Sequence, residues 1–336
     1  MVSAGLTQKE VEAQSNCFIF RNGRVSTYND EIFCKVKSGL EKKFQAAVSH
    51  DRLVPLLQKM PDDTVNMEVV DDVLTIKGSA GKRKARIPLD VSVNQAIDSV
   101  DRPSDEWITL PERFHSALGI VASCSDAGSS HFFLTCVRMN PKYMQATDNS
   151  QVIHYRLKTG ISDCLLQKKS LLKLIPLEPA EYNETESWIH FRNGTGLLVS
   201  LRKYPLDRFP SIKKCLDFTG DPLSLNNNLS MATDLAAVFT KGKPEEHILV
   251  KIRKGKIVIV GEGSGGKYSE VVPTKYKGRE LDFIVNPQLF IELTKKTTDC
   301  EITEDKLKVV GSRFTYVACL LAPNKTKPEA KDADTE

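Results

Sequence analysis

Long apolar runs are missing from this 336-residue chain. No stretch of about 18 apolar residues is present to cross a bilayer as a helix, so a soluble protein is expected, with no membrane partner. Paired-cysteine spacing is missing as well. The eight cysteines, Cys17, Cys34, Cys124, Cys136, Cys164, Cys215, Cys300 and Cys319, never form the C-x-x-C pattern that holds zinc or cycles through a disulfide. The opening Met1-Val-Ser-Ala-Gly-Leu-Thr-Gln-Lys9 lacks the basic and apolar regions of a secretory signal, which leads to the expectation of reduced thiols. The sequons at Asn183, Asn193, Asn228 and Asn324 are then read as turns.

Catalytic constellations are also absent. His50, His115, His131, His154, His190 and His247 are scattered, with no H-E-x-x-H and no close pair on one helical face. No G-x-S-x-G elbow occurs. The acidic pairs Asp62-Asp63 and Asp71-Asp72 fall in predicted turns, where carboxylates cap amides more often than they bind metal. One segment comes close to a phosphate loop: Gly261-Glu-Gly-Ser-Gly-Gly-Lys267, after the strand-like Ile257-Val-Ile-Val260. Tyr268 replaces the metal-binding hydroxyl, and the extended Ser269-Glu-Val-Val-Pro-Thr274 offers no helix N-terminus to phosphate. A hairpin is predicted there. The alternative, a nucleotide-binding enzyme using Gly261–Lys267, requires that Lys267→Ala abolish binding. The expectation is a protein that is not an enzyme and has no cofactor and no metal.

What the chain does have is a repeat. The apolar pairs Leu53–Leu57, Leu171–Ile175 and Leu289–Leu293 recur at an interval of 118 residues, from 53 to 171 and again from 171 to 289. Solenoid units run roughly 20 to 50 residues, so an interval this long reads as a domain. Each pair lies in an amphipathic helical segment: His50–Met60, Gln167–Leu177 and Asn286–Lys296. Strands follow each one. Val65–Val69 and Val73–Ile76 flank Asp71-Asp72; Trp188–Phe191 and Leu197–Leu201 flank the turn dipeptide Asn193-Gly194; Cys300–Ile302 and Leu307–Val310 precede Phe314–Leu321.

The front halves agree less closely. Phe18–Tyr28, Phe132–Arg138 and Ile248–Val260 are strand runs rich in aromatic and β-branched residues. Helical stretches, Leu110–Val121 and Asn228–Phe239, precede the second and third of these, whereas the first has only Leu6–Gln14. The fold class expected is α+β, with three tandem domains of antiparallel sheets and helices on one face. The boundaries are 1–103 (shortened at its N-terminus), 104–216 and 217–323, before a polar tail, 324–336, expected to be disordered.

A net charge of +4, from 47 basic and 43 acidic residues, does not name a partner. Placement says more. The aligned helices carry Arg52 and Lys59, then Lys168, Lys169 and Lys173, then Lys295 and Lys296. A single lysine on a helix is ordinarily solvated surface. Recurrence in three copies points to one basic surface suited to a phosphate backbone.

At Leu197-Leu-Val-Ser-Leu-Arg-Lys-Tyr-Pro-Leu-Asp-Arg-Phe-Pro-Ser-Ile212 the chain resembles the DNA sliding clamps, the beta subunits of bacterial DNA polymerase III. Ala146–Val152, Phe283–Leu293 and Tyr316–Leu321 resemble further family segments in the same order, from about Cys17 to Leu321. The resemblance implies a processivity factor: a homodimeric, head-to-tail ring around duplex DNA in the cytoplasm, placed by a clamp loader and tethering the replicative polymerase and repair proteins. Its phosphate contacts would be weak and sequence-independent.

The resemblance also implies an apolar peptide cleft between the second and third domains. Its wall would be Leu134, Thr147, Val152, Pro210, Lys214, Cys215, Val317, Cys319, Leu320 and Leu321. Asn149-Ser150-Gln151 stands where the family has Gly-His-Arg, and Cys319-Leu320-Leu321 where it has Met-Pro-Met, so peptide preference is expected to differ. Such divergence suits a phage or otherwise divergent clamp. A clamp-fold scaffold that does not close is the remaining alternative.

Overall fold

The computed structural model describes residues 2–7, 14–42, 44–61, 64–79, 82–89, 95–225, 227–240, 247–296 and 299–320. Its first stretch places β1 (Cys17–Arg21), β2 (Arg24–Asn29), β3 (Ile32–Lys37) and β4 (Ala46–Ser49) before helix α1 (His50–Lys59). Then come β5 (Val65–Val70), β6 (Val73–Gly78) and β7 (Lys84–Pro88). The second stretch opens with β8 (Ile108–Thr109) and α2 (Phe114–Ser123). It continues through β9 (Cys136–Asn140), β10 (Tyr143–Thr147), β11 (Gln151–Arg156), β12 (Cys164–Gln167), α3 (Lys168–Leu174), β13 (Glu181–Glu184), β14 (Trp188–Arg192), β15 (Leu198–Arg202) and the short α4 (Lys213–Leu216).

The third stretch repeats the order: β16 (Asp221–Ser224), α5 (Asn227–Val238), β17 (Ile248–Arg253), β18 (Lys256–Gly263), β19 (Gly266–Pro273), β20 (Leu281–Val285), α6 (Pro287–Lys296), β21 (Asp299–Ile302), β22 (Lys306–Val310) and β23 (Phe314–Cys319). Four strands, a helix and three strands therefore recur three times. No helix among the described residues is long and apolar enough to cross a membrane.

The chain divides into two compact units. The first comprises Met1–Ala122, Ala127–Lys142 and Leu157–Arg208. It holds an eight-stranded antiparallel sheet in the order β4-β1-β2-β3-β15-β14-β13-β8 and a three-stranded sheet, β5-β6-β7. Leu53 of α1 is buried in a cluster with Phe20, Val48, Leu74, Ile76 and Ile87, which is why the apolar face of that helix recurs in the sequence. A 3-10 turn at Val2–Gly5 packs on β2 and β3. Of Leu6–Gln14, which stands in the first copy where the others have a helical stretch, residues 8–13 lie outside the described residues.

Turn chemistry sets the hairpins. Asn22-Gly23 and Asp71-Asp72 take positive φ at both positions (55° and 71°, 48° and 58°), the primed geometry that matches strand twist. Asn193-Gly194 departs from expectation. β14 and β15 are joined by a five-residue loop in which Gly196, at φ 81°, takes the left-handed position. Asn193 acts through its side chain, whose Oδ1 accepts the Thr195 amide (3.1 Å) and hydroxyl (2.6 Å).

Three further expectations change. Asn228, read as a turn, lies in the first turn of α5 (Asn227–Val238). Phe132–Thr135 is a 3-10 turn, and the strand starts only at Cys136. Asn183 is not in a turn but buried in β13, where its amide donates to Ser104 Oγ at 2.7 Å.

His190, buried on β14, exchanges hydrogen bonds with Ser200 Oγ (2.7 Å) and Thr185 Oγ1 (3.3 Å). Burial pushes its pKa down from 6.5 to about 4. The unfolded chain takes up this proton below about pH 6.5 and the folded chain only below about pH 4, so stability falls as the pH drops through that window. The expected loss is about 3 kcal/mol. Urea melts at pH 7 and pH 4.5 measure it, and His190→Asn should flatten the slope; an unchanged slope would remove His190 as its cause.

The second unit comprises Ser123–Asp126, Tyr143–Arg156 and Phe209–Glu336. It holds six antiparallel strands in the order β10-β11-β23-β22-β21-β16 and a four-stranded sheet, β19-β18-β17-β20. Helix α5 buries Leu229, Ala232 and Ala236, packing on α6 and on β18. Gly261 permits that approach, since a Cβ there would lie 2.0 Å from the Ala236 carbonyl oxygen.

Each unit contains the same pairing between successive copies. β3 pairs antiparallel with β15, and β11 pairs antiparallel with β23. The buried pair Cys34–Val199 of the first junction corresponds to Ile153–Tyr316 of the second. The third strand before one copy's central helix joins the third strand after the next copy's.

Candidate functional site

In the second unit, antiparallel register places Thr147 opposite Val152, Val152 opposite Val317, Val317 opposite Lys308, and Lys308 opposite Glu301. Residues directly opposite share a sheet face, so these five form one row. Cys319 and Lys306, themselves opposite each other, extend that face by one step along β23 and β22.

The segment after residue 208 covers this row. Ile212 is buried with Val152 and Val317, and Phe209, Leu216 and Phe218 pack partly buried against them. Phe209, Ile212 and Leu216 have the i, i+3, i+7 spacing of one helical side, although only Lys213–Leu216 forms a helix. Lys308 donates to the Phe218 carbonyl, pairs with Glu301 at 2.9 Å, and holds its ammonium 4.9 Å from the Phe218 ring centroid. Lys306 approaches the same ring at 5.7 Å. These contacts fix Phe218; the floor of the row is buried, and the partly buried Phe209, Leu216 and Phe218 with the exposed Cys215 and Cys319 form the accessible rim of a shallow groove.

The matching face in the first unit is filled. By the same pairings, Tyr28, Phe33, Ser200, Arg202 and Trp188 occupy the places of Thr147, Val152, Val317, Cys319 and Lys306. Tyr28, Phe33, Trp188 and Val100 form a closed core, with the Tyr28 and Trp188 rings 6.4 Å apart and Arg202 over Trp188 at 5.1 Å. Aromatic bulk closes one junction. The other carries smaller side chains: Val152, Val317 and Ile212 are buried there too, beneath the partly buried Phe209, Leu216 and Phe218.

A tight turn bounds the groove. Asp148 Oδ1 accepts the Ser150 amide (3.0 Å), the Ser150 hydroxyl (2.8 Å) and the Gln151 amide (2.9 Å), and Asn149 takes φ 74°. Gln151 donates to Asp148 Oδ2 (2.6 Å) and accepts from the Tyr316 hydroxyl (2.9 Å). The Cys319 amide donates to Ser150 O at 2.7 Å, tying the end of β23 to the turn. Gln151 therefore has a structural task in the place where the resemblance expects an arginine.

Of the ten residues expected in the cleft, Thr147, Val152, Val317 and Cys319 share the row's face, and Cys215 and the exposed Lys214 lie on α4 beside it. Pro210 is exposed within the covering segment. Leu320 donates its amide to Asp305 O at 2.8 Å. Leu134 belongs to the first unit, buried in the Phe132–Thr135 turn. Leu321 lies outside the described residues. Phe209, Ile212, Leu216 and Phe218 were not expected; the helical spacing of the first three was the available signal.

Among the basic residues, Arg52 and Lys59 on α1 and Lys169 on α3 are exposed, and Lys168 is half-buried. Lys173 donates to Ala4 O at 2.7 Å, so its ammonium is held by the N-terminal turn. Lys295 and Lys296 are in α6, but their side chains lie outside the described residues. Gly261–Lys267 forms the β18–β19 hairpin, with Glu262 opposite Lys267 and an ion pair of 2.8 Å between them. No helix begins there to bind phosphate.

No protein-family model and no curated protein sequence matches this chain. Solved structures do. The DNA polymerase III subunit beta of Pseudomonas aeruginosa is similar with a TM-score of 0.74 at 14% identity, over 95% of each chain. The beta clamp of Helicobacter pylori, bound to a DNA ligase peptide, gives 0.75 at 14% identity over 96% of this chain and 95% of that one. The DNA polymerase III beta chain of Streptococcus pneumoniae gives 0.75 at 14%, with the same coverage. At these identities the likeness establishes the fold.

Proposed function

We propose that this chain is a DNA polymerase processivity factor: two copies close head to tail into a ring on duplex DNA and hold replication and repair proteins by short peptides seated in the groove of the second unit. Its three domains are 1–103, 104–216 and 217–323. A clamp loader opens and places the ring, and exposed cations such as Arg52, Lys59 and Lys169 make water-softened phosphate contacts that permit sliding.

The observation that carries this reading is the copy-to-copy pairing. β3 takes β15, and β11 takes β23. The remaining members of the series, β19 and β7, each end their sheets without a further neighbour among the described residues. A second copy of the chain supplies the missing strand on both sides, and two such junctions close a ring. The α5 side chains Met231, Leu235 and Val238, exposed by 70%, 41% and 57%, give an apolar surface for the same junction.

The decisive experiment loads the protein with its cognate clamp loader onto nicked circular DNA. Retention on the circle and release after linearisation are expected. Equal retention on both forms would overturn enclosure in favour of ordinary binding, and a purely monomeric chain at micromolar concentration would favour an open scaffold.

A further inference from the structure

We propose that Cys215 and Cys319 form a redox-sensitive dithiol in the groove, converted by a small-molecule disulfide into an intramolecular bridge that ties α4 to the end of β23 and shuts out apolar peptide. This rests on the groove reading above. Six of the eight cysteines are buried, and burial pushes the thiols of Cys34, Cys164 and Cys300 up to about 12 and that of Cys136 to about 11, which makes them inert. Cys215 and Cys319 are the two exposed ones. Both belong to the same site.

Packing brings them together. α4 lies against β23, and Ile212 packs on Val317. Cys215 follows Ile212 by three residues, its amide donating to Ile212 O at 3.0 Å, while Cys319 follows Val317 by two on the same strand face. The two thiols also lie within electrostatic reach. Cys215 adds to the upward shift that burial gives Cys319, with Asp305 and Asp148 acting in the same sense and Lys306 against it.

The chemistry balances with glutathione disulfide as oxidant. One thiolate attacks the small disulfide and releases one glutathione; the other thiolate attacks the mixed disulfide and releases the second. Two protein thiols lose two protons and two electrons, and the small disulfide is reduced to two thiols. A bridge demands Cα atoms about 4.4–6.8 Å apart, so its formation reports the approach of α4 to β23.

The test treats the full chain with glutathione disulfide, maps cross-links by mass spectrometry, and measures binding of the DNA ligase peptide carried by the Helicobacter pylori clamp. A Cys215–Cys319 cross-link is expected, with at least a tenfold loss of peptide affinity that dithiothreitol reverses and that Cys215→Ser and Cys319→Ser prevent. Separate glutathione adducts without a cross-link overturn the dithiol. A cross-link with unchanged affinity overturns the gate. If the reduced chain does not hold the peptide, the groove reading falls and takes the gate with it, whereas the cross-link map still reports the dithiol on its own.

Discussion

A chain carrying Met231→Glu and Leu235→Glu should sediment as a monomer of 37.5 kDa, where the proposed ring requires the unaltered chain to sediment as a dimer. Met231, Leu235 and Val238 have i, i+4, i+7 spacing and share one side of α5, while Leu229, Ala232 and Ala236 face the fold. Because the replaced side chains are exposed, the folded protomer does not depend on them and its circular dichroism stays the same. In a closed junction the two new charges would be buried without partners. Truncating central interface residues typically costs about 2 kcal/mol or more, and unpaired buried charge costs further, so self-association should weaken by about 100-fold or more. Retention on circular DNA should fall with it. Persistence of the dimer would place the closing surface elsewhere than α5.

Gly261→Ala should be the most damaging single methyl group in the second unit. Its Cβ would stand 2.0 Å from Ala236 O and 2.6 Å from the carbonyl carbon. Both are backbone atoms of a packed helix, so neither can rotate away, and α5 must lift from β18. Overpacking of this kind costs about 3 kcal/mol, the upper end of its usual range. Gly265→Ala is the control, because a Cβ there meets nothing within 4 Å. In urea, the first variant should unfold the second unit early and the control should stay within about 0.5 kcal/mol of the unaltered chain. Equal midpoints for the two would mean that α5 does not rest on Gly261. Should the glycines instead have served a nucleotide, Lys267→Ala would abolish its binding; the Glu262–Lys267 hairpin pair leads to the expectation that no nucleotide binds.

Helices were the most legible elements. His50–Met60 and Asn286–Lys296 became α1 and α6 within a residue at each end, and Gln167–Leu177 became α3 followed by a 3-10 turn at Ile175–Leu177. Hairpins with a dipeptide turn, such as Asp71-Asp72, were equally plain. Asn193-Gly194 misled because the same asparagine can place its side chain, not its backbone, at the turn. Phe132–Thr135 misled because aromatic residues favour strands only where a sheet receives them.

Thr147, Val152 and Val317, named from the resemblance, share one sheet face, whereas Ile212, buried against Val152 and Val317, was not named. Four residues of helix are too few for a periodic pattern to stand out.

The threefold order of strands and helices was legible in the residue pattern, because side-chain periodicity and turn residues act over a few positions and recur at 118. The chain also carries no H-E-x-x-H, G-x-S-x-G or C-x-x-C pattern. The contrast between the two junctions became visible in the folded sheet alone. Tyr28, Phe33 and Trp188 fill one face with aromatic bulk, while Thr147, Val152 and Lys306 hold the same places on its counterpart, and that contrast depends on register between strands far apart in the chain. The two edge strands, β7 and β19, likewise became visible only after every other member of the series had found its neighbour. Hydrogen-bond partners across more than a hundred residues are a property of the folded sheet, and local preference does not encode them.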